Sequence, residues 1–238
     1  DVERSRGLGD VYKRQTAHGA KCVPFNSWWT KDELSYGIPH SEVKLVFTDN
    51  KRFEIIKDFK VDIVLNGKSF NETIEQHYDT WPEENACDED YAVLLYTSGS
   101  TGVPKGVMLS HLSLINALLG FVSYGEIFKK ITGDNLLEAE NASVIVNVPL
   151  FHVTGLVTQF LLSMLAKRNL FLIHKWDPLE ALKLIDKFKV TNISGVPTQS
   201  WELLNHPDVD NYDLSSLIDI GAGGCLLYTS DAADEEDS

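Results

Sequence analysis

Apolar runs of five or six residues recur along the chain, and each ends in a polar or glycine-containing turn. They predict strands at residues 43–48, 61–65, 91–96, 143–148, 170–175 and 190–194. Stretches with helical spacing of apolar residues lie between several of them. This alternation predicts an α/β fold, with mostly parallel sheets flanked by helices in a layered arrangement.

The clearest predicted helix begins after Asp177, which can act as its N-cap. Pro178 stands at the first helical position, and Glu180 completes a start that resembles a capping box. The side chains expected on its buried side are Leu179, Leu182, Leu184, Ile185 and Phe188.

A second helix is predicted from Ser110 or His111 to about Tyr124. The side chains expected on its apolar side are Leu112, Ile115, Leu118, Leu119 and Val122. A third apolar run, residues 153–166, predicts a buried helix, because polar residues interrupt it and it is too short to cross a bilayer. No transmembrane segment is therefore expected.

Composition and charge exclude some classes of protein. With 43% hydrophobic and 24% charged residues, the chain has the balance of an ordinary globular protein. The formal net charge of −14 argues against a nucleic-acid partner. Cys22, Cys87 and Cys225 fit neither a disulfide framework nor a metal site, and no signal segment opens the sequence. We therefore expect a reducing, cytoplasmic location.

Residues 96–111, YTSGSTGVPKGVMLSH, combine glycines, hydroxyl side chains and one lysine directly after a predicted strand. Gly99, Gly102 and Gly106 let backbone N–H groups turn toward one anion-binding concavity. Lys105 adds an ammonium group, and hydroxyl donors come from Thr97, Ser98, Ser100 and Thr101. The pattern predicts a polyphosphate site, with ATP as the natural ligand.

Two other classes of glycine-containing loop do not fit. A Walker loop requires a Gly-Lys-Ser/Thr triplet, whereas Lys105 lies between Pro104 and Gly106. A nucleophile elbow requires glycines on both sides at a different spacing from that around Ser100. The remaining alternative from composition alone is a flexible connector without a ligand.

The loop resembles the phosphate-loop signature of the adenylate-forming superfamily, which contains acyl-CoA synthetases, luciferases and nonribosomal adenylation domains. Further segments match in the family's order: PFNSWWTKDEL at 24–34, PLFHVTG at 149–155, GVPT at 195–198 and GAGG at 221–224. The resemblance implies that residues 16–224 are part of the large N-terminal domain of such an enzyme.

That resemblance also implies a reaction and a set of site residues. A carboxylate would attack ATP to give an acyl-adenylate and pyrophosphate, and CoA would then take the acyl group. The implied catalytic residues are Lys105 and His152, and the implied substrate-binding residues are Phe151, His152, Val196 and Thr198. The implied nucleotide-binding residues are Thr97, Ser98, Gly99, Ser100, Thr101, Gly102, Lys105, Gly221, Ala222 and Gly223.

His152 also bears on the subfamily. Amino-acid-activating domains commonly carry an aspartate after the aromatic residue, whereas His152 follows Phe151 here. A fatty or aryl carboxylic acid is therefore the expected substrate. The alternatives are an enzyme that stops at the adenylate or passes it to a carrier protein, and a non-catalytic nucleotide-binding module.

Residues 1–15 and 225–238 depart from the family pattern, and the second segment is a low-complexity acidic tail. Both are expected to be foreign or disordered. The family's Mg²⁺ ligand, ribose-binding aspartate and C-terminal domain would lie beyond residue 224. We therefore expect this chain to be an incomplete piece that does not complete adenylation alone.

Overall fold

The computed structural model describes residues 19–65, 87–97, 103–133 and 141–223. The chain divides into two compact units, Asp1–Leu114 and Ile115–Ser238. Among the described residues, each predicted strand is present to within a few residues. The boundaries expected at 15/16 and 224/225 lie outside the described residues and stay predictions.

The described residues of the first unit form two small sheets, two complete helices and the start of a third helix. Strands β1 (Leu45–Thr48) and β2 (Asp62–Leu65) are parallel, whereas β3 (Tyr91–Thr97) and β4 (Lys105–Ser110) form an antiparallel pair. Helices α1 (Lys31–Ser41) and α2 (Asn50–Ile56) precede β1 and β2. Strand β4 was not predicted, and its pairing departs from the otherwise parallel pattern.

Side-chain caps fix where α1 and α2 begin. Thr30 accepts a hydrogen bond from the N–H of Glu33, and the Glu33 carboxylate accepts one from the N–H of Thr30 at 2.7 Å. This reciprocal capping box satisfies two backbone donors that the helix cannot satisfy itself. At α2, Asp49 accepts from the N–H of Arg52 at 2.8 Å.

An aromatic cluster forms the core beside the end of β3. Phe25, Trp29 and Tyr96 pack with ring centroids 5.1 to 6.0 Å apart. The Tyr96 hydroxyl lies 2.7 Å from Nδ1 of His40, and burial raises the pKa of Tyr96. Packed aromatic pairs add stability beyond their buried area. They therefore support the strand that leads into residues 97–106, which we call the glycine loop.

Helix α3 (His111–Thr132) begins where predicted but continues past Tyr124. Three of the apolar residues that show helical spacing, Leu112, Ile115 and Leu119, are exposed in the described part of the chain. Among the described residues, α3 alone has the length and composition of a membrane span. Core helices of globular proteins meet the same criteria, so this is weak support for one.

The second unit is built on a four-stranded parallel sheet in the order β6-β5-β7-β8. Its strands are β5 (Ser143–Val146), β6 (Asn169–Leu172), β7 (Asn192–Gly195) and β8 (Asp219–Ala222). A π-helix (Thr154–Leu161) continues into α4 (Leu162–Leu165); then come α5 (Pro178–Phe188), α6 (Pro197–Leu204) and a 3₁₀ turn (Val209–Asn211). The predicted helix at 153–166 is therefore confirmed, with a π-helical first part.

Helix α5 packs its apolar side on this sheet. Asp177 caps it, accepting from the N–H groups of Leu179 at 2.9 Å and Glu180 at 3.3 Å. The fully buried side chains of this core are Ile145, Ala181, Leu182, Ile185, Val190 and Leu203. Phe188 was expected to be buried but is 46% exposed, because it lies at the helix end, with one face against Phe171.

Candidate active site

The mouth of the glycine loop lies on the β3–β4 hairpin of the first unit. Thr97 is the register partner of Lys105, and its hydroxyl donates to the Lys105 carbonyl at 3.4 Å. Both side chains are exposed. The predicted ligand residues Ser98, Gly99, Ser100, Thr101 and Gly102 lie outside the described residues.

Gly106 allows the hairpin to sit close to the aromatic cluster. A Cβ atom at this position would lie 2.9 Å from the Leu94 side chain and 3.4 Å from the His40 ring. Because real Cβ atoms essentially never come within 3.0 Å of another atom, the end of the Leu94 side chain would have to shift to admit a larger residue here. Tyr96 is the register partner of Gly106, and its hydroxyl is hydrogen-bonded to His40.

In the second unit, three predicted site segments gather at one edge of the parallel sheet. The chain leaves β5 at Val146, β7 at Gly195 and β8 at Ala222, and these three strands are neighbours. The carboxyl ends of parallel strands meet at one edge, which is where open α/β sheets bind ligands. This edge collects the segments of His152, Val196 and Gly221.

The turn after β5 holds Phe151 buried and His152 at the surface. Their ring centroids are 4.6 Å apart. The N–H of His152 donates to the Pro149 carbonyl at 3.0 Å, and the His152 carbonyl accepts from the N–H of Leu156 at 2.9 Å. The turn thus presents an imidazole that packs against the ring of Phe151.

Two properties of this turn follow from its surroundings. A Cβ atom at Gly155 would overlap the carbonyl oxygens of Val148 and Pro149, so the close approach of the π-helix to the turn requires glycine. Partial burial lowers the pKa of His152 although the ring reaches the surface. Its ordinary value is 6.5, so the imidazole is neutral at pH 7 and above.

The turn after β7 leads directly into α6. Val196 precedes Pro197, the first helical residue, and the N–H of Val196 donates to the Gln199 side chain at 3.2 Å. Thr198 is exposed in the first turn. Both residues predicted to bind substrate therefore stand beside the helix start.

The end of β8 completes this edge. Gly221 and Ala222 pair with Ser194 and Gly195 of β7, and the N–H of Gly223 donates to the Gly195 carbonyl at 2.8 Å. A Cβ atom at Gly221 would lie 3.2 Å from the Cβ of Ser194. Gly224 lies outside the described residues.

Sequence reasoning missed three amide side chains beneath this edge. Gln159 is fully buried, Asn147 nearly so, and Gln199 half-buried. Hydrogen bonds join Gln159 to Asn147 at 2.7 Å and Asn147 to Gln199 at 2.9 Å. The available signal was a glutamine within an apolar run, since buried polar groups are almost always hydrogen-bonded.

Over the described ranges, no three His, Cys, Asp or Glu side chains lie close enough to hold a metal ion. The expectation that the Mg²⁺ ligand lies beyond residue 224 stays a prediction. Thr97 and Lys105 supply a hydroxyl and an ammonium, which suit phosphate oxygens rather than a cation.

Comparison with known proteins decides the family. The model of the AMP-binding enzyme family matches residues 16–231. The chain belongs to this family. Relatives include the long-chain-fatty-acid–CoA ligase of Bacillus subtilis, 40% identical over 140 residues. Another is 4-coumarate–CoA ligase 1 of Petroselinum crispum, 28% identical over 233 residues.

The alignments also measure how much of such a protein this AMP-binding chain spans. They cover 59% of this chain and 23% of the B. subtilis ligase, and 92% and 40% for the P. crispum ligase. The ATP-bound MatB structure from Rhodopseudomonas palustris superposes with a TM-score of 0.78 at 24% identity, covering 92% of this chain and 42% of MatB. This confirms the predicted fold class.

Proposed function

We propose that this sequence is part of an acid–thiol ligase that activates a fatty or aryl carboxylic acid with ATP and transfers the acyl group to CoA. The single observation that carries the proposal is the shared sheet edge. It brings together the segments of Phe151, Val196 and Gly221 on adjacent strands. Family membership supplies the reaction class, and the names of its relatives supply fatty acid and 4-coumarate as candidate acids.

The chemical demand on the glycine loop is the charge that grows on the departing pyrophosphate. Backbone N–H groups, hydroxyls and an ammonium stabilise such charge when they are held in place before the reaction. The hairpin supports this role by placing Thr97 opposite Lys105 at the loop mouth. We assign phosphate binding to Lys105 and to residues 97–102. When bound, Mg²⁺ would screen the same charge.

The proposed task of Phe151 and His152 is to position the acid. An uncharged imidazole packed against the Phe151 ring suits a carboxylic acid with an apolar body, because neither ring carries a charge that would need a counter-ion. The lowered pKa of His152 agrees with this assignment. Val196 and Thr198 would also line the acid pocket, and residues 221–223 would lie at the edge of the adenine ring.

Carboxylate-dependent exchange of labelled pyrophosphate into ATP, measured on the complete protein, tests the proposal. Exchange with a fatty or 4-coumarate-like acid, followed by CoA-dependent AMP release, is the expected result. Exchange without an effect of CoA would indicate transfer to a carrier protein or release of the adenylate. Nucleotide binding without exchange for any acid would indicate a non-catalytic module.

We further propose that the 238-residue chain by itself is inactive, because residues expected beyond residue 224 complete the site. The foreign origin of residues 1–15 and 225–238 and the cytoplasmic location stay predictions. Acyl-CoA formation by the isolated chain would disprove the proposed inactivity.

A further inference from the structure

The three amides beneath the sheet edge, Asn147, Gln159 and Gln199, form a chain of hydrogen bonds that we call the amide relay. It reaches the backbone at each end. The N–H of Val148 donates to Oε1 of Gln159 at 3.2 Å, and the N–H of Val196 donates to Oε1 of Gln199 at 3.2 Å. One end thus touches the turn after β5 and the other the turn after β7.

Backbone partners fix the direction of every hydrogen bond in the relay. An N–H group can only donate, so Val148 must face an oxygen of Gln159; the Ser194 carbonyl can only accept, so it faces the Gln159 amide nitrogen. Gln159 then donates to Asn147, and Asn147 donates to Gln199. No amide in the relay can flip without breaking a bond to another.

The strand beside the relay packs closely against it. A Cβ atom at Gly195 would overlap the Gln199 side-chain oxygen and crowd the Asn147 amide nitrogen at 2.6 Å. Gln159 also lies on the π-helix, a rare conformation that is frequent at functional sites. Buried and satisfied polar networks of this kind specify one arrangement of the surrounding chain.

We propose that Asn147, Gln159 and Gln199 are positioning residues that hold the turns after β5 and β7 in one fixed arrangement. These turns carry Phe151 and Val196, so the role in acid binding rests on the proposed function. The mechanical coupling of the turns does not, because it is measurable without any ligand.

Amide hydrogen exchange of the full chain, read by NMR at Val148 and Val196, tests this coupling. In Gln159→Met, we expect protection to fall about tenfold or more at both amides. Val148 loses its acceptor, and Val196 loses the hydrogen-bonded neighbours that orient its acceptor, Gln199. The matched control is Ser163→Ala, which removes a buried hydrogen bond to the Gln159 backbone carbonyl on the same helix. In this control, protection at Val148 and at Val196 should both stay close to their values in the unsubstituted chain.

Gln159→Glu adds a readout that a merely structural role would not move. As a protonated acid, Glu still donates toward Asn147; as a carboxylate it only accepts, so Asn147 and Gln199 must turn and Val196 loses its acceptor. Val196 protection should therefore follow the titration of this carboxyl and recover at low pH. Three results would overturn the coupling. They are a loss of protection at Val148 alone in Gln159→Met, an unchanged protection of Val196 at all pH values in Gln159→Glu, and losses in Ser163→Ala equal to those in Gln159→Met.

Discussion

Single residues at the sheet edge are constrained by contacts too close for any other side chain. Gly155 lies against the carbonyl oxygens of the turn that carries His152, and Gly195 lies against the amide relay. Such glycines are needed for space, and their backbone angles are ordinary. Substitution should therefore act through the neighbouring backbone, which cannot move without displacing a site residue.

Gly155→Ala should destabilise the chain by about 1–3 kcal/mol, the usual range for overpacking a tight site. Urea unfolding measures this change. Gly120→Ala is the matched control, because no atom lies within 4 Å of a Cβ there and the residue is inside α3. Alanine favours helix at such a position by about 0.5–1 kcal/mol. Equal effects of the two substitutions would contradict the packing account.

The pH dependence of stability should report on His152. Burial lowers its pKa below 6.5 in the folded chain, so the unfolded state binds the proton more readily. The resulting stability is present above pH 6.5 and is lost as the pH falls through the lowered value. His152→Gln should flatten that part of the curve in urea titrations from pH 7.5 to 5. An unchanged curve would show that His152 is not desolvated.

Helices α1, α2 and α5 begin where a side chain satisfies free backbone N–H groups. Thr30, Asp49 and Asp177 each cap a helix, and the cap at Asp177 accepts two N–H groups. These caps are local in sequence. For that reason the start of α5 was predicted correctly before any tertiary contact was known.

Asp177→Ala should lower the free energy of unfolding by about 1 kcal/mol, because two N–H groups of α5 lose their acceptor. Asp208→Ala is the control: Asp208 occupies the corresponding position before the 3₁₀ turn but makes no side-chain cap there. Thermal or urea unfolding of both variants checks the difference. A larger loss in the control would refute the capping assignment.

The limits of sequence prediction have physical causes at this scale. Strands β3 and β5 were found because they are apolar and almost wholly buried. Strands β4 and β8, which were not predicted, are partly or largely exposed and lack that pattern. Helical spacing identified the apolar side of α3, but spacing alone does not show whether that side is buried or exposed. The glycine loop and the His152 turn carry local motifs, whereas the amide relay joins residues far apart in sequence through the register of β5 and β7.

At the scale of the whole molecule, α3 stands out by its exposed apolar side chains. Ile131 is 78% exposed, Tyr124 58%, Ile127 57% and Leu119 52%. Exposed apolar surface of this extent marks an interaction site or a tendency to aggregate. The chain also spans at most about 40% of the CoA ligases compared above.

The isolated chain should therefore self-associate, and replacing Ile127 and Ile131 by glutamate should reduce this. Light scattering coupled to size-exclusion chromatography provides the measurement. Lys129→Glu is a control for added charge, because it changes charge on the same helix without removing apolar surface. A monodisperse wild-type monomer that unfolds cooperatively would contradict this prediction.

In the proposed function, the glycine loop with Lys105 holds the phosphates of ATP during adenylation. Pyrophosphate exchange by the complete protein carrying Lys105→Ala tests it most directly, with Lys51→Ala as an exposed-lysine control. Turnover should fall by about a hundredfold or more while the KM for the acid changes little, since the contact strengthens as charge develops. Turnover equal to that of the Lys51 variant would contradict the claim.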